Sequence, residues 1–396
     1  MSTIFILSEN SFLSKNFYIY AKKKHNKIFL LNHNNINEIK HASSNDIVIN
    51  FCGVNRGNSY DDYYEGNVKF LNTVLNLLKN KPFLIYISSI MINGFVDIKY
   101  DKLSLNRQWF IKTKKICEET LFSKYPNNKL CIVRPSNIFG YNCLPYYNNI
   151  LVSLIYDKIC LKNKITKINR NCTRNFLSVG EFSKCLFKLV KDRTIGINNI
   201  ISNKNFTLES ALKAIYKTPP KFIEIYEGEK DVIRINNNNN NIENNILVNE
   251  NFLEEMKILE KDMKTYLQLK DQIEIKQLNV LSQSRGDMIE ISSLNSKRLY
   301  KITLTTNSIR GNHFHFKQLE EFFNNKGKVL YLLANKDNPN VIYIKKINEN
   351  EKIIVPPMII HTLINDYINN YPEIIISSTQ EYIKNQIPDT EYLTII

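Results

Sequence analysis

Residues 308–327 read SIRGNHFHFKQLEEFFNNKG. The stretch holds His313 and His315, then Glu320, then Gly327. Strand side chains alternate between faces, so two histidines two positions apart share one face. A carboxylate beyond a bend can join them. His361 follows Pro356 and Pro357, where a second strand can return beside the first. Three imidazoles and one carboxylate suit a borderline divalent ion such as zinc. A His-x-His on a strand is by itself more often surface or core than ligand. Of the six histidines in the chain, however, only three lie after residue 41, and all three belong to this set.

Working outward, the pattern from Ile273 onward is one of short apolar runs between polar turns: Tyr300–Leu304, Val329–Leu333, Val341–Ile344, Ile353–Val355 and Ile374–Ile376. That pattern predicts an all-β domain, a jelly roll or barrel that brings the histidines together. The first half reads differently. Ile4–Leu7, Lys27–Leu31, Asp46–Phe51, Phe83–Ile87 and Lys129–Val133 read as strands. Helical stretches at Phe17–Lys24, Asp61–Lys79 and Phe110–Phe122 separate them. Alternation of this kind predicts α/β architecture, a doubly wound parallel sheet with its ligand at the carboxyl ends of the strands. Six consecutive asparagines at 236–241 and a helical Phe252–Gln268 lie between the halves. The expected organisation is 1–228 as the α/β domain, 229–272 as an Asn-rich excursion with a connecting helix, and 273–396 as the β domain.

Composition bounds the function classes. With 43% hydrophobic and 23% charged residues the chain is globular, and 396 residues exceed one ordinary core. The formal charge is +15, but the basic residues are scattered among short groups such as Lys22, Lys23, Lys24 and Lys112, Lys114, Lys115. No recognition helix or zinc-finger spacing accompanies them, so no nucleic-acid partner is expected. Seven cysteines, all in the first half and with no C-x-x-C pair, read as free thiols of a reducing compartment. The opening MSTIFILSENSF lacks a basic region and a cleavage site. No apolar run reaches the ~18 residues of a membrane span. A cytoplasmic protein without membrane contact is the expectation.

Several segments in order carry a family resemblance: CGVNRG at Cys52–Gly57, DDYYEGNV at Asp61–Val68, SSI at Ser88–Ile90, RPSNIFG at Arg134–Gly140, PYYNN at Pro145–Asn149, and RGNHFH with its spacing to Glu320, Gly327 and His361. Together they resemble the capsule-biosynthesis reductase–epimerase family typified by CapF. That family fuses an extended short-chain dehydrogenase/reductase, a Rossmann-like domain, to a C-terminal cupin. The resemblance implies a homodimer acting on a UDP-2-acetamido-2,6-dideoxy-4-ketohexose. C3 epimerisation would occur in the cupin and NADPH-dependent C4 reduction in the first domain. It implies His313, His315, Glu320 and His361 as ligands of zinc or another divalent metal. Arg134, Asn137, Asn148, Arg174 and Arg310 would contact substrate, and Ser8, Ser11, Ser14, Asn55 and Arg56 the cofactor. Ser89 and Lys114 match the catalytic serine and lysine.

The same alignment exposes departures. Ser8, Ser11 and Ser14 stand where the reductase pattern has three glycines; a Cβ penalises positive φ and close backbone approach. Phe110 stands where the tyrosine acid should be, and phenylalanine has no proton to donate. Asn32, His33 and Asn34 follow the second strand, with no acid there for a ribose hydroxyl and no arginine for a phosphate. Tyr300, Lys301, Asn312 and Glu321 are the candidates for the epimerase base.

Overall fold

The computed structural model describes residues 2–144, 149–162, 165–216, 218, 220–234, 243–278, 280–283, 286–289, 295–380 and 389–396. The asparagine run and Asn148 lie outside these residues. The chain divides into two compact units, Met1–Lys261 and Asp262–Ile396.

The first unit is organised by seven strands: β1 (Ile4–Leu7), β2 (Ile28–Leu31), β3 (Ile47–Asn50), β4 (Phe83–Ile87), β5 (Leu130–Pro135), β6 (Gly196–Ser202) and β7 (Glu243–Val248). Their order is β7-β6-β5-β4-β3-β1-β2, and every pairing is parallel. Strands β1, β3, β4 and β5 are buried throughout. Their unbroken apolar runs follow from this, because a parallel sheet covered on both faces has no solvent side. The helices of this unit are α1 (Phe12–Lys22), α2 (60–77, with a π-helical turn at Tyr64–Lys69), α3 (Leu105–Lys124), α4 (Ile150–Ile159), α5 (Val179–Asp192) and α6 (Leu208–Ile215); α7 (Phe252–Gln272) begins in this unit and ends in the second. The strand order reverses between β1 and β3. The turns after these two strands therefore flank the crevice where doubly wound folds take their ligands. This is a Rossmann-like α/β unit.

Within 229–272 the chain does more than the sequence pattern led one to expect. Asp231–Ile233 pairs with Cys172–Ser178 and with Phe95–Val96. β7 pairs with β6 along its full length as the edge of the main sheet. An ENNILV run beside low-complexity asparagine has little strand signal of its own, and its pairing with β6 supplies the rest.

The second unit is all antiparallel sandwich. Its strands are β8 (Glu274–Gln277), β9 (Arg298–Thr303), β10 (Ser308–His315), β11 (Glu320–Lys326), β12 (Val329–Asn335), β13 (Asn338–Ile347), β14 (Glu351–Val355), β15 (Ile359–Asn365), β16 (Glu373–Ser378) and β17 (Thr390–Tyr392). One sheet has the order β8-β14-β11-β16-β9 and the other β13-β12-β15-β10-β17. Inward residues of both sheets share one core, including Phe322, Tyr331, Leu333, Ile353, Leu363 and Ile376. This is the cupin-like jelly roll that the period-two pattern after Ile273 predicts.

Candidate metal centre

Strand β10 delivers the two neighbouring histidines through a bulge between Gly311 and His313. Gly311 has φ +97°, and a Cβ there would sit 2.4 Å from the carbonyl oxygen of His361. No side chain fits that approach. Asn312 follows at φ 59°, a left-handed value that asparagine tolerates better than most residues. The RGNH sequence thus builds a bulge, and bulges re-aim the side chains that follow them. His313 lands directly opposite His361 on β15. Glu320 opens β11 in the other sheet, so the cluster is assembled from both sheets of the sandwich.

The four side chains converge, with one ligand atom from each lying within 4.8 Å of all the others. Glu320 Oε2 is 3.3 Å from His315 Nε2 and 3.3 Å from His361 Nε2. The His313 ring is centred 5.0 Å from that of His315 and 4.4 Å from that of His361. His361 Nδ1 lies 3.4 Å from the Ile359 carbonyl, which leaves its Nε2 facing the carboxylate. His313 Nδ1 is buried with no hydrogen-bond partner.

Burial lowers His361 to about 3, with its histidine neighbours adding to the effect against the pull of Glu320. Burial also lowers His313, and His315 adds to it. Burial alone would raise the Glu320 carboxyl, but the hydrogen bond from His315 and the charges of the histidines outweigh it and bring it to about 2. A carboxylate converging with three imidazoles is a donor set of the kind that holds metal ions. Together with the orphaned His313 Nδ1, it fits a divalent cation.

Of the four candidate bases, one reaches the cluster. Tyr300 Oη donates to Glu320 Oε1 at 3.4 Å. Burial, reinforced by Glu320, raises its pKa, so the phenol carries its proton at neutral pH. Lys301 instead bonds Glu373 at 3.2 Å. Glu321 forms a buried pair with Lys352 at 3.2 Å. Asn312 Oδ1 accepts from Thr362 Oγ1 at 2.9 Å. Sequence spacing did not single out Gln318, whose Nε2 donates to Glu320 Oε1 at 2.7 Å. Tyr392 was missed too; its ring lies 5.4 Å from that of His313. Arg310 is exposed on β10.

The first unit places its expected site residues differently. Ser8 sits at φ 83°, a glycine conformation occupied by serine at a cost of about 1 kcal/mol. The Ser14 hydroxyl turns back onto the carbonyl oxygens of Ser8 and Ser11. Ser11 is the N-cap residue of α1 and makes no side-chain capping bond. Between them Glu9 is 2% exposed and accepts from Asn32 Nδ2 at 2.5 Å. A diphosphate bound at this turn needs free backbone N–H groups and positive potential. A buried carboxylate supplies the opposite.

Lys114, 5% exposed, donates to Tyr86 Oη at 3.2 Å and to the Ile87 carbonyl at 3.0 Å, and burial lowers its pKa. Its ammonium lies 6.0 Å from the centre of the Phe110 ring, where the reductase pattern has a phenol. Ser89 Oγ accepts from Met91 N at 3.2 Å. Asn55 and Arg56 are exposed. Serine for glycine, phenylalanine for tyrosine and a buried acid in the turn make this a poor seat for a nicotinamide dinucleotide.

The two arginines of this unit that were expected to meet substrate are turned inward. Arg134 is 6% exposed; it bonds Glu118 at 2.6 Å and Glu243 at 3.0 Å. Arg174 bonds Asp231 at 2.7 Å. Asn137 Nδ2 donates to the Asn175 carbonyl at 3.2 Å.

No protein-family model and no curated protein matches the chain. Among solved structures the chain is similar to CapF from Staphylococcus aureus, a capsular polysaccharide assembling protein. The identity is 17%, over 99% of this chain and 99% of that one, with a TM-score of 0.39. MoeE5 in complex with UDP-glucose and NAD is similar over 66% of this chain and 98% of its own, at 11% identity and a TM-score of 0.51. The QdtA 3,4-ketoisomerase from Thermoanaerobacterium thermosaccharolyticum is similar over 28% of this chain and 83% of its own, at 18% identity and a TM-score of 0.25. At these identities the MoeE5 likeness speaks to fold alone, and the looser overlays of the other two carry no further argument. No helix among the described residues is long and apolar enough to cross a membrane.

Proposed function

We propose that the chain is a nucleotide-sugar epimerase whose chemistry takes place at the cluster of the second unit. The supporting observation is the convergence of His313, His315, Glu320 and His361, with a protonated Tyr300 beside them. The substrate is a UDP-2-acetamido-2,6-dideoxy-4-ketohexose, a choice that rests on the family resemblance. A divalent ion held by these four residues would supply the positive charge that polarises the 4-keto oxygen and acidifies the C3 proton. Gln318 and Tyr300 both donate to Glu320 Oε1 and hold that carboxylate in one orientation. Epimerisation takes the C3 proton from one face and returns one to the other; in this reading a base on the first face accepts it and Tyr300, which carries its proton, is the donor on the second. His315, Glu320 and His361 are all buried, so electrostatic interactions at the cluster are weakly screened.

A second reading adds C4 reduction with NADPH in the first unit. Ser89 and Lys114 favour it. The Phe110 ring, the Ser8 backbone and the buried Glu9 weigh against it, and the first unit is then a folding and dimerisation scaffold. The expected reaction is exchange at C3 without net reduction.

Incubation of the 4-keto sugar nucleotide with the protein in deuterated water, followed by NMR, tests this. Deuterium at C3 is expected, with no loss of absorbance at 340 nm when NADPH is present. Retention of the C3 proton by folded, metal-replete protein would sink the epimerase reading.

A further inference from the structure

We propose that the C-terminal strand β17 is a working part of the metal centre. In this arrangement Thr390 sets the tautomer of His315, and Asp389 holds the loop that carries the chain from His315 to Glu320. The inference rests on the reading of the cluster as a metal site and adds to it two residues far from the ligands in sequence.

The geometry is specific. β17 pairs antiparallel with β10, with His315 opposite Thr390 and His313 opposite Tyr392. Thr390 Oγ1 lies 3.0 Å from His315 Nδ1, while His315 Nε2 faces Glu320 Oε2. An imidazole that offers Nε2 to a cation must carry its proton on Nδ1. The threonine oxygen is placed to accept that proton. The Ile359 carbonyl is positioned to do the same for His361, so two of the three histidines have an acceptor at Nδ1 and their Nε2 turned toward Glu320.

Asp389 acts on the intervening loop. Its carboxylate accepts from the backbone N–H of Lys317 at 3.1 Å and of Gln318 at 3.0 Å. Its carbonyl accepts from Phe316 N at 3.0 Å. Gln318 in turn bonds Glu320. One carboxylate therefore holds the backbone between two ligands, including that of the residue whose side chain bonds the second. Beyond β17, Leu393 N donates to the Asn312 carbonyl at 2.9 Å and Ile395 N to Asn312 Oδ1 at 3.3 Å. That clamps the bulge that aims His313. A strand whose role was only to cover an edge would need none of these side-chain bonds.

Thr390 and Asp389 are positioning residues, and their test reads metal and tautomer instead of turnover. Zinc affinity is measured by chelator competition on the full-length wild type, Thr390→Val, Thr390→Ser and Asp389→Asn. Outer-shell partners of this kind are worth roughly 10–100-fold in affinity. Thr390→Val is expected to lose about that much, and Thr390→Ser, which keeps the oxygen, to stay near wild type.

The second measurement reads the proton directly. Nitrogen-15 correlation spectra of the zinc-loaded proteins should show His315 protonated on Nδ1 in wild type and Thr390→Ser. In Thr390→Val that Nδ1 proton should exchange faster with solvent. Should Thr390→Val fail to fold, Thr390→Ser and Asp389→Asn carry the comparison. Thr390→Val with wild-type zinc affinity and an unchanged His315 Nδ1 proton overturns the inference. A wild type that binds no zinc overturns the metal reading itself, and the positioning role falls with it.

Discussion

His313 and His361 stand directly opposite each other across β10 and β15, their ring planes at 75°. The pair exists because Gly311 lets the backbone of β10 pass within contact of the His361 carbonyl. Replacing Gly311 by alanine is expected to break both the strand pairing and the cluster. Backbone atoms cannot yield as a flexible side chain would, and the residue also sits at positive φ. A cost of about 2–4 kcal/mol in unfolding free energy is expected, with loss of bound metal. Denaturant unfolding and metal analysis of the purified variant check both outcomes. A Gly311→Ala protein with full metal content would show that the bulge is dispensable.

Metal removal should be felt as stability. A ligand that binds only the folded state stabilises it by about 2.7 kcal/mol at one hundred times its dissociation constant. Chelation of the wild type is therefore expected to lower the melting temperature by several degrees, and added zinc to restore it. In His361→Asn the melting temperature should be insensitive to both treatments. An equal response of wild type and variant would place the ion elsewhere.

Arg134 tests the structural reading of the first unit. Its guanidinium bonds a buried Glu118, whose side chain is 6% exposed. Removing one partner from such a pair leaves an uncompensated charge and costs about 3–5 kcal/mol. Arg134→Met is expected to destabilise on that scale. The double variant Arg134→Met with Glu118→Leu should recover only part of the loss, because Glu243 still loses its arginine and the buried Ser88 hydroxyl its acceptor. A substrate-binding arginine would instead leave stability nearly unchanged and raise KM.

How much of this was legible in the sequence depends on how far each signal reaches along the chain. The α/β alternation of the first unit and the period-two runs of the second are local patterns, so both fold classes could be read. The four clustered residues were legible too, because His313, His315 and Glu320 lie within one stretch and His361 is the one remaining late histidine. Thr390 and Asp389 were not, since nothing in a three-residue strand near the chain's end marks which partner it will find. β7 was hidden for the same reason, its six residues being adjacent to asparagine repeats. A motif places Arg134 at a strand end but cannot show that Glu118 and Glu243 will pair with it. Ser8 was read as a weakened glycine position, and its φ of 83° shows a serine in the conformation that glycine adopts most easily.

That conformation makes Ser8→Gly informative. Glycine relieves the left-handed strain of about 1 kcal/mol but gives up a similar amount of unfolded-chain restriction. Near-neutral stability is expected. Combined with Phe110→Tyr, it returns a phenol within reach of Lys114, yet Glu9 remains buried in the turn. The double variant is expected to show no NADPH binding by fluorescence, and the further change Glu9→Ala to be needed before any appears. Tight NADPH binding by the wild type would contradict the account of the turn given above.

Asp231 supplies the pH dependence. Burial raises its carboxyl, but Arg174 and Arg107 lower it by more, so its folded pKa lies below the ordinary carboxylate value. The two arginines sit 2.7 Å and 3.1 Å from the same Asp231 Oδ2. A group held low in the folded state contributes stability that is present above its unfolded pKa of about 3.9 and is lost as pH falls through the folded value. Asp231→Asn should therefore be less stable than wild type at neutral pH. The difference should shrink as the pH falls below about 4 and close once it passes the folded value, where wild type also carries an uncharged side chain at this position. Urea midpoints of the two proteins, measured across that interval, give the answer. A gap that holds constant down to the acid end would mean that the shape of the Asp231 side chain, and not its charge, holds Arg107 and Arg174 in place.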